Sequence, residues 1–356
     1  MDSGITRIIA RLRSQAGELW PEAPPADFHI VRHLSRPYSN VYRLQLVAPH
    51  APTTRFVYAK ILTPGLKFQK IPEKYLTRLV TEFSATQRLQ AALQGERDFA
   101  VIKPVAYFPE FLAIITEEAA GETLADLINC DGKLWPAAEK LEQLAQHCYR
   151  AGQALAAIQK ATREVSRFDP AELLEYVDVR LRRLVESRQT PFSATDRRQI
   201  IKFLEHAIPA IPAEQFGLCG AHGDYAPFNM LATAEKITVA DFTMFKVGSV
   251  YNDLTYFYHR LEGYLHKPVF RSQTIRRLQN AFLTGYAGSL EKSKSPLVTE
   301  DLLFKVLWIK HIVNNYSAIV RQRVVAKGKK LSLPVRLFNR RVFHRYNLCL
   351  KQFCGS

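Results

Sequence analysis

The stretch His222-Gly223-Asp224-Tyr225-Ala226-Pro227-Phe228-Asn229 constrains this chain more than any other part of it. Twelve residues beyond Asn229 comes Asp241, in the apolar run Ile237-Thr238-Val239-Ala240-Asp241-Phe242. Twelve residues further comes Asp253, in Asn252-Asp253-Leu254. A loop therefore carries a carboxylate and, five residues on, an amide, and a short strand ends on a second carboxylate. Phosphoryl transfer asks for this donor set: one carboxylate takes a hydroxyl proton, while the amide oxygen and the second carboxylate hold magnesium against phosphates. His-Gly-Asp alone is a weak signal, expected in roughly one chain in twenty of this length. The ordered addition of Asn229, Asp241, Gly248 and Asp253-Leu254 makes chance a poor account. The bland alternative is a turn capped by Asp224 and Asn229, with Asp241 and Asp253 as further caps.

With 356 residues and 47% hydrophobic composition, the chain can bury one large core or two medium ones. No run of eighteen apolar residues exists, and the amphipathic N-terminus is too polar for a secretion signal. Cys130, Cys148, Cys219, Cys349 and Cys354 are scattered, which reads as free thiols in a reducing cytoplasm. The net charge is +16, and twelve Lys or Arg with no acidic residue follow Asp301. Such a stretch suits an anionic partner, such as the inner face of a membrane or an anionic substrate. It serves equally as a solvated surface, or as a face docked on acidic parts of the same fold.

Along the chain, residues 1–27 read as a helix and a Pro-rich linker. Strands are expected at 29–34, 41–47 and 56–62, a helix over 73–93, and further strands around 101–102 and 111–116. After Gly121 long amphipathic stretches predict helices near 137–160, 170–188, 194–208, 251–265, 271–290 and 299–325.

In these residues the chain resembles the aminoglycoside phosphotransferase / choline kinase-like family of small-molecule kinases, with Gly223 where protein kinases carry Arg. The resemblance covers about 28–320 and is dense at 222–254. It implies an α+β, two-lobed protein-kinase-like fold: a small lobe of antiparallel sheet plus helix, and a large, mostly helical lobe. The expected domains are 1–27 as helix and linker, 28–118 as nucleotide-binding lobe, 119–320 as catalytic and acceptor lobe, and 321–356 as a basic segment. The cofactors it implies are ATP and magnesium.

The resemblance also assigns roles. Asp224 is the general base, and His222 belongs to the catalytic loop, more as scaffold than as proton shuttle. Asn229 and Asp241 are the metal ligands, and Asp253 holds the loop by accepting its backbone N–H groups, or caps its own helix. Lys60, in Val57-Tyr58-Ala59-Lys60, holds phosphates and pairs with Glu82, or alternatively Glu73. Ser39-Asn40 stands where a glycine-rich loop usually cradles phosphate, and the surrounding Arg36–Arg43 segment has no glycine. The backbone of Glu117 and Ala119 is expected to bond adenine. The aromatic residues Tyr251, Tyr256, Phe257, Tyr258 and Tyr264 read as a core stripe rather than a cage for a cation.

Only eleven residues separate Asp241 from Asp253 and no Ala-Pro-Glu follows, so a small hydroxyl acceptor fits better than a peptide. The basic charge favours an acceptor that is anionic, or attached to a lipid or saccharide. The competing class is a pseudokinase that binds nucleotide or a partner without transfer. A nucleic-acid partner rests on the basic stretch alone, with no motif behind it.

Overall fold

The computed structural model describes residues 3–36, 39–47, 54–63, 73–188, 190–289, 298–325 and 332–354. They form two compact units, Met1–Glu122 with Asn229–Phe245, and Thr123–Phe228 with Lys246–Ser356.

The first unit is built on a five-stranded antiparallel sheet in the order Asp27–Arg36, Ser39–Val47, Arg55–Leu62, Ala113–Glu117, Pro104–Phe108. One face of it is apolar by simple alternation: Tyr42, Leu44 and Leu46 on one strand, Val57 and Ala59 on the next. The helix Ser3–Ser14 covers that face with Ile5, Ile8 and Leu12, each at most 1% exposed. Each such side chain contributes about 1.5–3 kcal/mol on burial. The first helix is thus part of this core. The helix Glu73–Ala92 buries Leu79, Glu82, Ala85, Thr86 and Leu89, a stripe at three and four spacing.

One strand differs from expectation. The segment at 101–102 does not join this sheet. Phe99–Val101 runs parallel to Ile237–Val239, which pairs antiparallel with Met230–Ala232. Pro104 has no N–H to extend a ladder. The chain changes partners just before it, with the Ile102 N–H still on Val239 and the Lys103 carbonyl already on Glu117. The fifth strand, Pro104–Phe108, was missed for the same reason.

The second unit is mostly helical, with one small antiparallel sheet of Lys246–Ser249, Gly217–Ala221 and Glu164–Arg167. One of its cores draws on Leu181, Leu204, Leu307 and Tyr316, together with Val342 and Phe343 of the helix Leu333–Cys354. The last helix is therefore packed, and part of its charge is spent inside the fold. Arg345 pairs with Glu262 at 3.2 Å and Lys351 with Asp196 at 3.4 Å. Lys310 turns inward to Asn252 Oδ1 at 2.6 Å, and burial lowers its pKa to about 8. The expected basic face thus loses three members, while Lys327, Lys329 and Lys330 lie outside the described residues.

The helices Ala138–Ala161 and Ser272–Gly288 cross where Gly152 meets Phe282 and Gly285 meets Tyr149. A Cβ on either glycine would overlap a backbone carbonyl oxygen of the other helix. Beside this crossing the Ala151 carbonyl accepts the Tyr225 hydroxyl at 2.6 Å, so the helix also anchors the loop that follows His222. Gly285→Ala is expected to destabilise the chain by about 3 kcal/mol, because two backbones must separate. Urea unfolding measures this; a loss under about 1 kcal/mol would show that the crossing yields easily.

Candidate active site

In the first unit, Val57 and Ala59 face the N-terminal helix, and alternation sends Lys60 to the opposite face of the sheet. There Lys60 Nζ lies 3.1 Å from Glu82 Oε1 and 2.7 Å from Asp241 Oδ1. It also touches the Thr243 hydroxyl. The Lys60 side chain is 18% exposed and that of Glu82 only 5%, a degree of burial at which either charge alone would be costly. Burial works against the ammonium, but the Glu82 and Asp241 carboxylates outweigh it and hold Lys60 above the ordinary lysine pKa. Burial lifts the Glu82 carboxyl above its usual range, so its charge depends on Lys60. Of the two acidic partners weighed, Glu82 makes the contact; Glu73 begins the helix and is exposed.

Asp241 differs from Glu82 in that its side chain is 45% exposed. It is the member of the cluster that a ligand can reach. Its φ of 67° lies in the left-handed region, which aspartate tolerates better than most residues. The strands Met230–Ala232 and Ile237–Val239 form a hairpin in which the Ala240 N–H donates to the Asn229 carbonyl at 2.9 Å. Asn229 and Asp241 therefore stand at the same end of one hairpin. An amide oxygen and a carboxylate are the hard donors magnesium takes when phosphates complete its shell. Among the described residues no cluster of three His, Cys, Asp or Glu could hold a metal by itself.

The remaining candidates of this unit are placed less tightly. Ser39 is buried opposite Leu62, and Asn40 Oδ1 lies 3.1 Å from His33 Nε2. Pro37 and Tyr38, in the glycine-free turn, lie outside the described residues. The Glu117 N–H is already given to the Lys103 carbonyl, so only the carbonyl of Glu117 can serve an adenine. Its carboxylate is held by Lys103 at 2.9 Å and Arg55 at 3.4 Å. Ala119 follows Glu118, whose carboxylate takes both arms of Arg43 at 2.7 and 2.8 Å.

In the second unit the loop after Gly217–Ala221 hangs from Asp253. The N–H of His222 donates to Asp253 Oδ2 at 2.6 Å and that of Gly223 to Oδ1 at 3.0 Å. Gly223 has φ of 80°, which explains a glycine here. Burial raises the Asp253 carboxyl above its usual range, with the His222 ring and the two N–H bonds pulling the other way. Asp253 is not the cap of its helix, Val250–Glu262. That role belongs to Ser249, whose Oγ accepts the Tyr251 N–H at 3.2 Å. His222 is fully buried, and its Nδ1 accepts the Asp224 N–H at 3.3 Å.

Asp224 Oδ1 accepts the Tyr256 hydroxyl at 2.8 Å. Burial, reinforced by the charge of Asp224, raises the Tyr256 pKa, so the phenol stays a donor. The other aromatics do not form a cage. Phe257 stacks on Phe282 at 4.1 Å, Tyr258 packs on Phe304 and Trp308, and Tyr251 donates to Asp301 at 2.6 Å.

Two residues escaped the sequence reading. Tyr256 stood in the aromatic stripe, and nothing in the pattern marked its hydroxyl. Thr243, two residues after Asp241, belongs to no motif in the sequence. In the structure its Oγ1 lies 2.8 Å from Glu82 Oε2 and 2.6 Å from Asp241 Oδ1, bridging the two carboxylates.

The sequence matches the model of the phosphotransferase enzyme family over residues 57–288. No curated protein matches it. Among solved structures it is similar to choline kinase from Cryptosporidium parvum Iowa II, at 14% identity and TM-score 0.58, covering 98% of this chain and 96% of that one. A choline/ethanolamine kinase family protein from Mesorhizobium loti gives 14% identity and TM-score 0.53 over 98% and 95%. A thermostable mutant of the aminoglycoside phosphotransferase APH(4)-Ia gives 12% and 0.50 over 93% and 97%. The fold is the two-lobed, protein-kinase-like α+β fold. The chain belongs to the phosphotransferase enzyme family.

Lys60→Met leaves Glu82 buried beside Asp241 without its cation. This is expected to lower stability by about 3 kcal/mol, and Lys60→Met/Glu82→Gln should recover part of it. Urea unfolding of the three proteins tests the point; a single variant as stable as wild type would contradict a charged, buried pair.

Proposed function

We propose that this chain transfers the γ-phosphate of ATP to a hydroxyl of a small molecule. The observation that carries the reading is the cluster of Lys60, Glu82, Thr243 and Asp241, in which a buried ammonium is fixed by one carboxylate and shared with a second, exposed one. A fold with no phosphate to hold has no physical use for that arrangement. Lys60 would bind phosphate oxygens, with Glu82 keeping it charged and in place. Asn229 and Asp241 would hold magnesium, whose chemistry is to neutralise charge on the phosphates. Ser39 and Asn40 would meet the phosphates, and the Glu117 carbonyl and Ala119 N–H the adenine.

In the second unit Asp224 would accept the proton of the acceptor hydroxyl. Its Oδ1 is held by Tyr256, and its loop is fixed by the two N–H bonds to Asp253. The base is thereby oriented before the acceptor arrives, which is most of what a loose transition state asks of it.

Transfer of label from γ-labelled ATP with magnesium into a fractionated cell extract tests this. Asp224→Ala is expected to lower incorporation by at least about 100-fold. The partition of the label between organic and aqueous phases then says whether the acceptor is lipid-linked or a soluble molecule. Equal labelling by the variant, or measurable ATP binding with no transfer to any fraction, would favour a pseudokinase.

A further inference from the structure

The helix Leu302–Val325 packs against Val250–Glu262, and two consecutive residues of it reach the groups that hold Asp224. Lys310 Nζ donates to Asn252 Oδ1 at 2.6 Å, and Asn252 Nδ2 donates to Asp253 Oδ1 at 3.3 Å. That same oxygen accepts the Gly223 N–H, while Oδ2 accepts that of His222. His311 Nε2 lies 3.1 Å from both the Asn252 carbonyl oxygen and Thr255 Oγ1. Its ring packs 5.1 Å from that of Tyr256, which holds Asp224.

An asparagine side chain is a donor at one end and an acceptor at the other, in nearly the same shape. Here its two neighbours decide which way it faces. An ammonium only donates, so it takes the amide oxygen; a carboxylate only accepts, so it takes the NH2 group. The bond from Asn252 is one of those that keep the buried Asp253 carboxyl charged. A neutral amine has a lone pair and accepts as readily as it donates. It would leave the amide free to turn its oxygen toward Asp253, where two acceptors would face each other and the bond would be lost.

Holding a lysine at this place is unfavourable. Burial lowers its pKa to about 8, with the charges of Lys246 and Arg180 acting in the same direction and Asp253 against them. Its Nζ also lies 5.8 Å from the Tyr176 ring, and burial together with the Lys310 charge keeps His311 neutral. These are its charged and titratable neighbours from the helix Ala171–Ser187, the strand Lys246–Ser249, the helix Val250–Glu262 and its own helix. A methionine would fill much the same space without burying a charge, so packing alone does not account for the residue.

We propose that Lys310 is a positioning residue for the catalytic loop: its ammonium orients the Asn252 amide, the amide supports Asp253, and Asp253 holds the backbone that presents Asp224. The proposal rests on the phosphotransfer reading for the task it gives Asp224, and the coupling of Lys310 to the loop can be read separately.

NMR of the full chain follows the backbone N–H signals of His222 and Gly223 as the pH is raised through the lysine's pKa of about 8. Both signals are expected to titrate with that midpoint in wild type, and to lose the step in Lys310→Met and in Lys310→Arg. Label transfer from γ-labelled ATP should fall in wild type through the same midpoint and show no such step in Lys310→Arg, which stays charged. Below that pH, Lys310→Met should lose at least about tenfold in labelling while binding ATP as wild type does. Signals that do not titrate, a step that survives in either variant, or Lys310→Met labelling at the wild-type rate overturns the proposal. A loss of ATP binding that matches the loss of labelling also overturns it, since the residue would then serve the nucleotide or the fold at large. Where Lys310→Met fails to fold, the wild-type titration and Lys310→Arg decide. No labelling by wild type, with the signals still titrating, sinks the phosphotransfer reading while the coupling stands. Labelling with signals that do not titrate sinks only this proposal.

Discussion

Burying the ammonium of Lys60 is tolerable only because Glu82 and Asp241 stand within hydrogen-bond reach of it. Much of the first unit follows from that requirement. The strand that carries Lys60 must be flanked on both sides by other strands, with its other face sealed by the N-terminal helix. The helix that carries Glu82 must bury a carboxylate among Leu79, Ala85 and Leu89, which it does only because the partner is there. The hairpin of 230–239 must deliver Asp241 at its end, where a left-handed residue turns the chain and Thr243 closes the bridge to Glu82. Each element is unremarkable alone, and the cluster is what ties them together.

The second unit solves a related problem with backbone donors. A loop that must present Asp224 cannot also be anchored by it. The anchoring passes to Asp253, which takes two consecutive N–H groups, and to Tyr225, which reaches the Ala138–Ala161 helix. Tyr256 then holds Asp224 through its Oδ1. Two aspartates of the same loop system are divided by burial, with Asp253 enclosed and Asp224 partly open.

How legible was this in the sequence? The spacing of Asp224, Asn229, Asp241 and Asp253 pointed to phosphoryl transfer because each residue type has a distinct chemical duty. Lys60 was legible because a lysine in an apolar strand demands a partner, and the family resemblance pointed to Glu82, with Glu73 as the alternative. Most of the strands and helices followed from periodicity, whereas the antiparallel sheet was what the family resemblance implied. Other features were not legible, for identifiable reasons. The switch of partners before Pro104 depends on the strand at 237–239, which is far away in sequence. The inward turn of Lys310 and the pairing of Arg345 and Lys351 depend on tertiary neighbours, so charge counting overstated the basic face. Thr243 and Tyr256 carry hydroxyls whose use is decided by side chains distant in sequence.

The measurement that bears most directly on the whole account is the affinity of the full chain for ATP with and without magnesium, in wild type and in Asp241→Asn. Binding that tightens with magnesium in wild type, and loses that dependence in the variant, is the predicted result. Wild-type binding indifferent to magnesium, or no binding of ATP at all, would contradict the assignment of the Lys60, Glu82 and Asp241 cluster to nucleotide phosphates.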